Sequence, residues 1–222
     1  METTLDANLK KITVLIPTFY RPEGLARTLQ SLRDTSDVKI VVALEIYDSD
    51  GFRVAVGYGA EIAYCARHYA GCAYAWNAAL AASPNDDIYV IGADDAVFVE
   101  GWLGEALKGL EILGGSGLVG FESGKRKDYS DHYMMTRDFM IEHHGGVAAV
   151  PHYTSWCVDD EAILRARKVG KFYRSLTAVV RHEKGNENDA GYKMGQARRK
   201  ENKALFYKRQ ALGFPDDFER II

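Results

Sequence analysis

The sequence predicts an α/β protein in which helices flank a mostly parallel central sheet. The first observation is a series of short apolar runs, of which residues 12–16 and 38–46 come earliest. The second is that stretches with apolar residues at helical spacing separate these runs. Strands covered on both faces are continuously apolar, and alternation of strands with helices is typical of parallel sheets. Together the two observations indicate one α/β domain.

The first half of the chain keeps this alternation throughout. Its first strand covers residues 12–16 and stops at Pro17, and a helix follows over about residues 22–32, with Pro22 in the first turn. The other predicted elements are strands at 38–46, near 60–64, before Asp94 and near 117–121, and helices over about 71–82 and 102–113.

The second half is less regular. Residues 123–133 predict a polar loop, and residues 147–150 predict another apolar strand. A helix is expected to begin near Asp159 and to end at Gly170, which suits a helix carboxyl terminus. A short strand over residues 177–181 leads to His182, and from about residue 186 the chain becomes basic and helical. We therefore expect a main domain over residues 1–185 and a basic helical extension over residues 186–222.

Composition excludes several classes of protein. The 222 residues are 47% hydrophobic and 27% charged, which is ordinary for a globular domain, and the formal net charge of −3 argues against a uniformly basic nucleic-acid coat. The three cysteines lack the spacing of a metal site and favour a reducing environment. No apolar window is long enough to span a membrane, and the amino terminus is polar. A soluble, cytoplasmic protein is the expectation.

An acidic pair interrupts the strand that starts at residue 88. The apolar run leads into Asp94 and Asp95, and a second apolar run follows directly. Burying unpaired carboxylates is costly, so the pair is expected at the edge of the sheet, where a cation neutralises it. Carboxylate oxygens suit Mg²⁺ or Mn²⁺, which commonly bind a substrate phosphate as well. A polar turn after a strand is the alternative explanation of the pair.

The element that holds this pair is one of four motifs that follow one another along the chain. The first strand and its turn cover residues 12–21, the acidic element residues 92–95, an acidic helix start residues 158–170, and a strand end residues 179–182. In this order the motifs resemble those of the GT-A glycosyltransferases, in particular the inverting family-2 group. The resemblance implies a GT-A fold, a nucleoside diphosphate sugar donor with a uridine diphosphate sugar as the default, and an acceptor hydroxyl. It also implies Mn²⁺ or Mg²⁺ as the cofactor.

The resemblance also implies roles for residues at the strand ends. Asp95 would hold the metal with His182, and Asp94 would lie near the ribose or the metal. The other implied donor contacts are Pro17, Thr18, Arg21, Glu45, Asp48, Asp50 and Asn77. One departure concerns the second strand, which commonly ends in two aspartates in this family but is followed here by Glu45 and Asp48.

The proposed base lies in the acidic run that starts the helix near residue 159. The family pattern favours Asp159, then Glu161 and finally Asp160. A carboxylate at a helix amino end is well placed to accept a proton, although an N-cap role would also explain Asp159. Just before it, His152, Tyr153 and Trp156 are candidates for an acceptor platform, and core packing would explain them equally well.

Two other functions compete with the glycosyltransferase interpretation. A nucleotidyltransferase shares a similar nucleotide-binding half, but its first turn typically carries a glycine-rich basic signature, whereas here the turn is residues 17–22. A noncatalytic nucleotide- or sugar-binding protein is the second alternative. The sequence selects no acceptor; the basic carboxy-terminal segment leaves room for a nucleic acid among other classes.

Overall fold

The computed structural model describes residues 10–124, 128–183 and 189–216. The strands are β1 (Ile12–Pro17), β2 (Lys39–Glu45), β3 (Glu61–Cys65), β4 (Ile88–Ile91), β5 (Ala96–Phe98), β6 (Leu118–Glu122), β7 (Tyr133–Thr136) and β8 (Phe172–His182). The helices are α1 (Pro22–Thr35), α2 (Ser49–Gly57), α3 (Cys72–Ala82), α4 (Trp102–Ile112), α5 (Arg137–His143), α6 (Val158–Lys168) and α7 (Ala190–Ala211).

The strands form one mixed sheet in the order β3-β2-β1-β4-β7-β6-β8-β5. Four of the seven strand pairings in the described residues are parallel: β1 with β2, β1 with β4, β2 with β3, and β6 with β8. The β4–β7, β6–β7 and β5–β8 pairings are antiparallel. The α/β prediction is therefore confirmed, and the parallel half is the amino-terminal one.

The sheet has a hydrophobic core on each face, which explains the continuously apolar strands. Residues of β1 alternate between the cores, with Leu15 in one cluster and Val14 and Ile16 in the other. The second cluster also holds the apolar face of α1, namely Leu25 and Leu29, both fully buried. Side chains that alternate between two buried faces must all be apolar.

Two predicted strands differ from the observed structure. Residues 147–150 are buried but form no strand, because the backbone N–H groups of Ala148 and Ala149 donate to the side-chain oxygen of Asn77 instead of to a neighbouring strand. The strand predicted over residues 177–181 is the end of the longer β8, which pairs with β6 and β5. Apolar content alone does not reveal where backbone hydrogen bonds go.

The carboxy-terminal helix α7 starts at Ala190, after Asp189, whose side chain accepts a hydrogen bond from the backbone N–H of Tyr192. The start predicted near residue 186 falls in residues 184–188, outside the described parts of the chain. No helix in the described ranges is long and apolar enough to cross a membrane.

Candidate active site

A cavity of about 700 Å³ opens at the carboxyl ends of the parallel strands. Its floor includes the last residues of β1, β2 and β3, which are Pro17, Glu45 and Cys65, together with Asp94 and Asp95 after β4. Open α/β sheets place their ligand sites at this edge, where strand ends diverge. The amino end of α6 and one face of α7 form the opposite wall.

The acidic pair meets an arginine from the turn after β1. The Arg21 guanidinium lies 2.6 Å from Asp94 Oδ1, 3.2 Å from Asp95 Oδ2 and 3.0 Å from Asp189 Oδ2. Thr18 adds a hydrogen bond from its hydroxyl to Asp94 Oδ2 at 2.8 Å. Three carboxylates thus surround one guanidinium, which leaves an excess of negative charge at the edge of the sheet.

The two adjacent aspartates have opposite electrostatic environments. Burial raises the pKa of Asp94 to about 7, although the charge of Arg21 acts in the opposite direction. Burial would also raise the pKa of Asp95, but the hydrogen bond and charge of His182, followed by the charge of Arg21, lower it to about 2. Asp95 is therefore the member of the pair that stays ionised.

Two histidines and a further aspartate lie beside Asp95. His182 Nε2 is 3.4 Å from Asp95 Oδ1, and His182 Nδ1 is 3.6 Å from Asp131 Oδ2. The ring of His132 lies 5.2 Å from that of His182, centroid to centroid. His132 is buried, and this burial, with the nearby charge of His182, lowers its pKa to about 4. His182 arrives here because β8 pairs with β5, the strand that follows the acidic pair.

The donor set fits a divalent cation that completes its coordination with substrate. Asp95 and His182 converge with an oxygen and a nitrogen, ligand types that Mn²⁺ accepts. No group of three or more potential ligands forms a complete metal site among the described residues. Mg²⁺ and related ions are typically held by one or two carboxylates plus phosphates and water, so an incomplete protein shell is expected at a nucleotide site.

Glu45 organises the cavity at the end of β2. It is 6% exposed and accepts hydrogen bonds from the backbone N–H of Tyr69 and, at 3.4 Å, from the hydroxyl of Tyr20. His68 Nδ1 lies 2.8 Å from its Oε2. The Phe19 ring packs on the Tyr69 ring with centroids 4.9 Å apart. This end of the cavity therefore combines a carboxylate with aromatic side chains whose faces suit a planar nucleobase.

The acidic run at the start of α6 divides between the cavity and the core. Asp159 and Asp160 line the cavity. Glu161 is fully buried, accepts a hydrogen bond from the Tyr153 hydroxyl at 2.7 Å, and pairs with Arg165 at 2.9 Å and Arg209 at 3.0 Å. The geometry therefore removes Glu161 from the candidates for the base, because its carboxylate serves to join α6 to α7.

The helix α7 forms the wall beside the proposed base. The side-chain oxygen of Asn202, which is 2% exposed, accepts three consecutive backbone N–H groups, from Thr154, Ser155 and Trp156, at 3.0 to 3.2 Å. The indole N–H of Trp156 donates to the Gly195 carbonyl at 2.9 Å. The segment that precedes α6 is thus fixed to helix residues that lie 39 to 48 positions later in the chain.

Several residues predicted to contact substrate lie elsewhere. Asp48 is buried as the N-cap of α2, and Asp50 is exposed and pairs with Arg53. Asn77 is turned to the 147–150 segment, where it also donates to the Ala149 carbonyl.

Of the three proposed acceptor contacts, Trp156 lines the cavity, His152 is exposed outside it, and Tyr153 is buried against Glu161. Of the residues named here and in the preceding sentences as predicted substrate contacts, only Trp156 lines the cavity.

The structure also brings in residues that the sequence did not single out. They are Phe19, Tyr69, Asp131, His132, Asp189, Arg199, Asn202 and Lys203. Phe19 lies within the first motif, and Arg199 and Lys203 lie in the predicted basic segment. Asp131 and His132 had a local signal too, since like the acidic pair they are polar residues next to an apolar strand. The others reach the site through contacts between distant segments.

The fold and the site define a class of protein, the GT-A fold with an acidic pair beneath a cavity at the strand ends. Within this class the chain belongs to glycosyl transferase family 2, whose family model matches residues 13–171. No curated protein sequence matches the chain significantly. The family match covers the acidic pair and the start of α6 but not His182 or α7.

Solved structures agree with this fold. A mannosyltransferase from Pyrobaculum calidifontis, solved with GDP-Man and Mn²⁺, superposes with a TM-score of 0.71 at 15% identity over 91% of this chain. The chain spans 64% of that protein's length. Glucosyl-3-phosphoglycerate synthase from Mycobacterium tuberculosis, solved with Mn²⁺ and UDP, gives 0.64 at 16% identity over 95% of this chain and 82% of its own. TarS of S. aureus gives 0.67 at 9% identity over 95% and 41%.

Proposed function

We propose that the protein is a metal-dependent, inverting glycosyltransferase that moves a sugar from a nucleoside diphosphate sugar to an acceptor hydroxyl. The observation that carries the proposal is the meeting of Asp95, His182 and Asp159 in one cavity at the strand ends. The family match supports the reaction class. A nucleotidyltransferase finds no support in that match.

The donor would lie across the strand ends, with its base between the Phe19 and Tyr69 side and Glu45. Pro17 and Thr18 line the same end of the cavity and would contact the nucleobase and the ribose. Arg21 would face the diphosphate, because its guanidinium already lies between Asp94 and Asp95. A guanidinium suits phosphate oxygens. Each guanidinium nitrogen of Arg21 faces a carboxylate here, so the phosphate would take the place of one of these partners.

Asp95 and His182 are the proposed protein ligands of Mn²⁺ or Mg²⁺. When bound, such an ion neutralises negative charge that develops on the leaving diphosphate. Neighbouring folds support this choice, since the mannosyltransferase and the synthase were solved with Mn²⁺ or Mg²⁺. Asp94 keeps Arg21 and Thr18 in position through its two oxygens.

Asp159 is the proposed general base. It lines the cavity in the first turn of α6, where the helix dipole favours its ionised form. It would accept the proton of the acceptor hydroxyl as that oxygen attacks the anomeric carbon from the face opposite the diphosphate. Attack from that face inverts the anomeric configuration. Asp160 also lines the cavity and is the second candidate.

The test is the release of nucleoside diphosphate from a panel of UDP- and GDP-sugars, with Mn²⁺, with Mg²⁺ and with a chelator. Water replaces the acceptor in this slow hydrolysis, so no acceptor needs to be known. We expect one donor class to be hydrolysed with a divalent metal and not with the chelator. Failure of every donor to bind or react with either metal would contradict the proposal.

The matched variants Asp159→Asn and Asp160→Asn identify the base. Loss of a general base typically slows a reaction by about 10²–10⁴-fold, so Asp159→Asn should lose hydrolysis while it still binds the nucleotide and Mn²⁺. Asp160→Asn should stay near the wild-type rate. The reverse pattern would assign the base to Asp160. Proton NMR of the first product then gives the anomeric configuration, and retention would exclude the inverting mechanism.

A further inference from the structure

A pair of cations on α7 faces the cavity beside the proposed base. Arg199 and Lys203 are four residues apart, so they lie on one face of the helix, and both line the cavity. The carbonyl of Gly191, near the start of the same helix, accepts a hydrogen bond from the Tyr69 hydroxyl at the end of the cavity proposed to bind the nucleobase. At 1.5 Å per residue, Lys203 lies roughly 18 Å further along the helix. The cations therefore belong to the acceptor end.

Arg199 is held in place by a fixed aromatic ring. Its guanidinium carbon lies 4.5 Å from the centroid of the Trp156 ring. The Trp156 side chain is anchored by its indole N–H on the Gly195 carbonyl, and its backbone N–H donates to Asn202. A stacked guanidinium leaves its edge free to bind an oxyanion, and the fixed ring lowers the entropy lost on binding.

Neither cation is neutralised within the described ranges of the chain, where no ion pair involves Arg199 or Lys203. The neighbouring Arg198 pairs with Glu201 at 2.8 Å, and Arg21 in the same cavity is surrounded by three carboxylates. A cation that lines a cavity without a carboxylate partner is available to an anionic ligand.

We propose that the acceptor is an anion, whose phosphate monoester or carboxylate binds Arg199 and Lys203 while its hydroxyl faces Asp159. This inference rests on the proposed glycosyltransferase function. Trp156 links the two groups, since it supports Arg199 and lies three residues before Asp159. The anionic group selects and orients the acceptor, and α7 supplies its binding site.

Direct binding tests the proposal without knowledge of the natural acceptor. Glycerol, glycerate and glycerol 3-phosphate are titrated by calorimetry into the protein, with and without Mn²⁺ and the nucleoside diphosphate. We expect at least one of the two anions to bind and glycerol not to bind. The anion that binds more tightly shows whether the site prefers a carboxylate or a phosphate monoester. Absence of binding by both anions at millimolar concentration would overturn the proposal.

The variants Arg199→Gln and Lys203→Gln, singly and together, locate the anion. Charge-assisted hydrogen bonds are worth a factor of about ten or more each, so the double variant should weaken anion binding by at least about tenfold. Lys200→Gln removes the same charge from an exposed position outside the cavity and is the matched control. Equal anion affinity in the wild type and the double variant would refute the assignment.

Nucleotide binding separates this inference from the proposed function. The double variant should bind the nucleoside diphosphate and Mn²⁺ as the wild type does, because its substitutions lie at the acceptor end. If the variant loses the nucleotide instead of the anion, the cations serve the donor and the inference is wrong. If the wild type binds no nucleotide, the proposed function fails. The titration of the anions into the protein alone then still shows whether the anion site exists.

Discussion

Two clusters of arginine and carboxylate groups occur in this protein, and they differ in charge balance and access. In the core, Glu161 pairs with Arg165 and Arg209, and Arg165 also pairs at 2.6 Å with the exposed Asp216 at the edge of this cluster. At the sheet edge, Arg21 alone faces Asp94, Asp95 and Asp189. The core cluster has as many positive as negative groups, whereas the edge cluster has excess carboxylate.

Under the proposed function, the same residue types serve stability in one place and ligand binding in the other. The core cluster is balanced and lies outside the cavity, so its interactions are complete within the protein. The edge cluster borders the cavity and has more carboxyl groups than guanidinium groups, so a cation from solution can join it. Substitutions in the two clusters should therefore affect different measurements.

Among substitutions in the two clusters, Asp95→Asn should give the largest effect on activity. It removes the ionised member of the acidic pair, and loss of such electrostatic stabilisation typically slows a reaction by about 10²–10³-fold. Donor hydrolysis with saturating Mn²⁺ measures the rate, and urea unfolding measures stability. We expect a modest fall in the free energy of unfolding, since the lowered pKa of Asp95 means that His182 and Arg21 stabilise its charge in the folded protein. A destabilised but fully active variant would erase the contrast between the clusters.

Glu161→Gln should give the opposite pattern. Breaking a buried ion pair by removing one partner costs about 3–5 kcal/mol, because Arg165 and Arg209 would keep buried charges without their shared carboxylate. Urea unfolding measures the loss, and nucleotide binding per folded molecule should remain normal. Glu201→Gln, which breaks an exposed pair with Arg198, is the control and should leave stability nearly unchanged. Stable Glu161→Gln protein with lost activity would return Glu161 to the candidates for the base.

Asn202→Leu should affect both measurements, but less strongly. It removes the acceptor of three backbone N–H groups, and an unsatisfied buried donor costs about 1–3 kcal/mol. The loosened segment carries Trp156 and leads to Asp159, so donor hydrolysis should also slow. Asn202→Asp keeps a side-chain oxygen in the same place and should retain more of both properties. Equal losses in the two variants would show that the accepted hydrogen bonds are not the cause.

Acid should act on the core cluster with the smallest of these effects. Hydrogen bonds from Arg209, Tyr153 and Arg165 outweigh burial and lower the pKa of Glu161 below the ordinary value of 4.5. A carboxylate with a lowered pKa stabilises the fold above its unfolded pKa, and this contribution is lost as pH falls through the folded pKa. Wild-type stability should fall more than that of Glu161→Gln when pH drops below about 4.5. Parallel pH profiles in urea unfolding would contradict this.

The sequence was sufficient for the strands β1 to β4 and for the residues at their carboxyl ends. Thr18, Arg21, Glu45 and Asp95 follow apolar runs directly, and the carboxyl ends of parallel strands meet at one edge, so local pattern leads to the site. Residues 147–150 gave a wrong strand prediction, because their backbone hydrogen bonds go to Asn77, more than seventy residues away.

The opposite wall of the cavity could not be predicted in the same way. Asp159 and Glu161 are two residues apart in one acidic run, and only the position of Arg209, 48 residues later, separates the cavity side from the core side. Arg199 and Asn202 belong to a basic helix whose pattern is equally typical of a solvated surface. Their roles depend on how α7 packs on α6, which is a tertiary property.

Mn²⁺ binding in the presence of nucleoside diphosphate is the most direct test of the central claim, that the edge cluster is a metal site and the core cluster is structural. Electron paramagnetic resonance of Mn²⁺ with UDP or GDP reports the bound ion without any acceptor. We predict bound Mn²⁺ for the wild type and for folded Glu161→Gln, and its loss in Asp95→Asn. Wild-type affinity in Asp95→Asn, or loss confined to Glu161→Gln, would contradict the account.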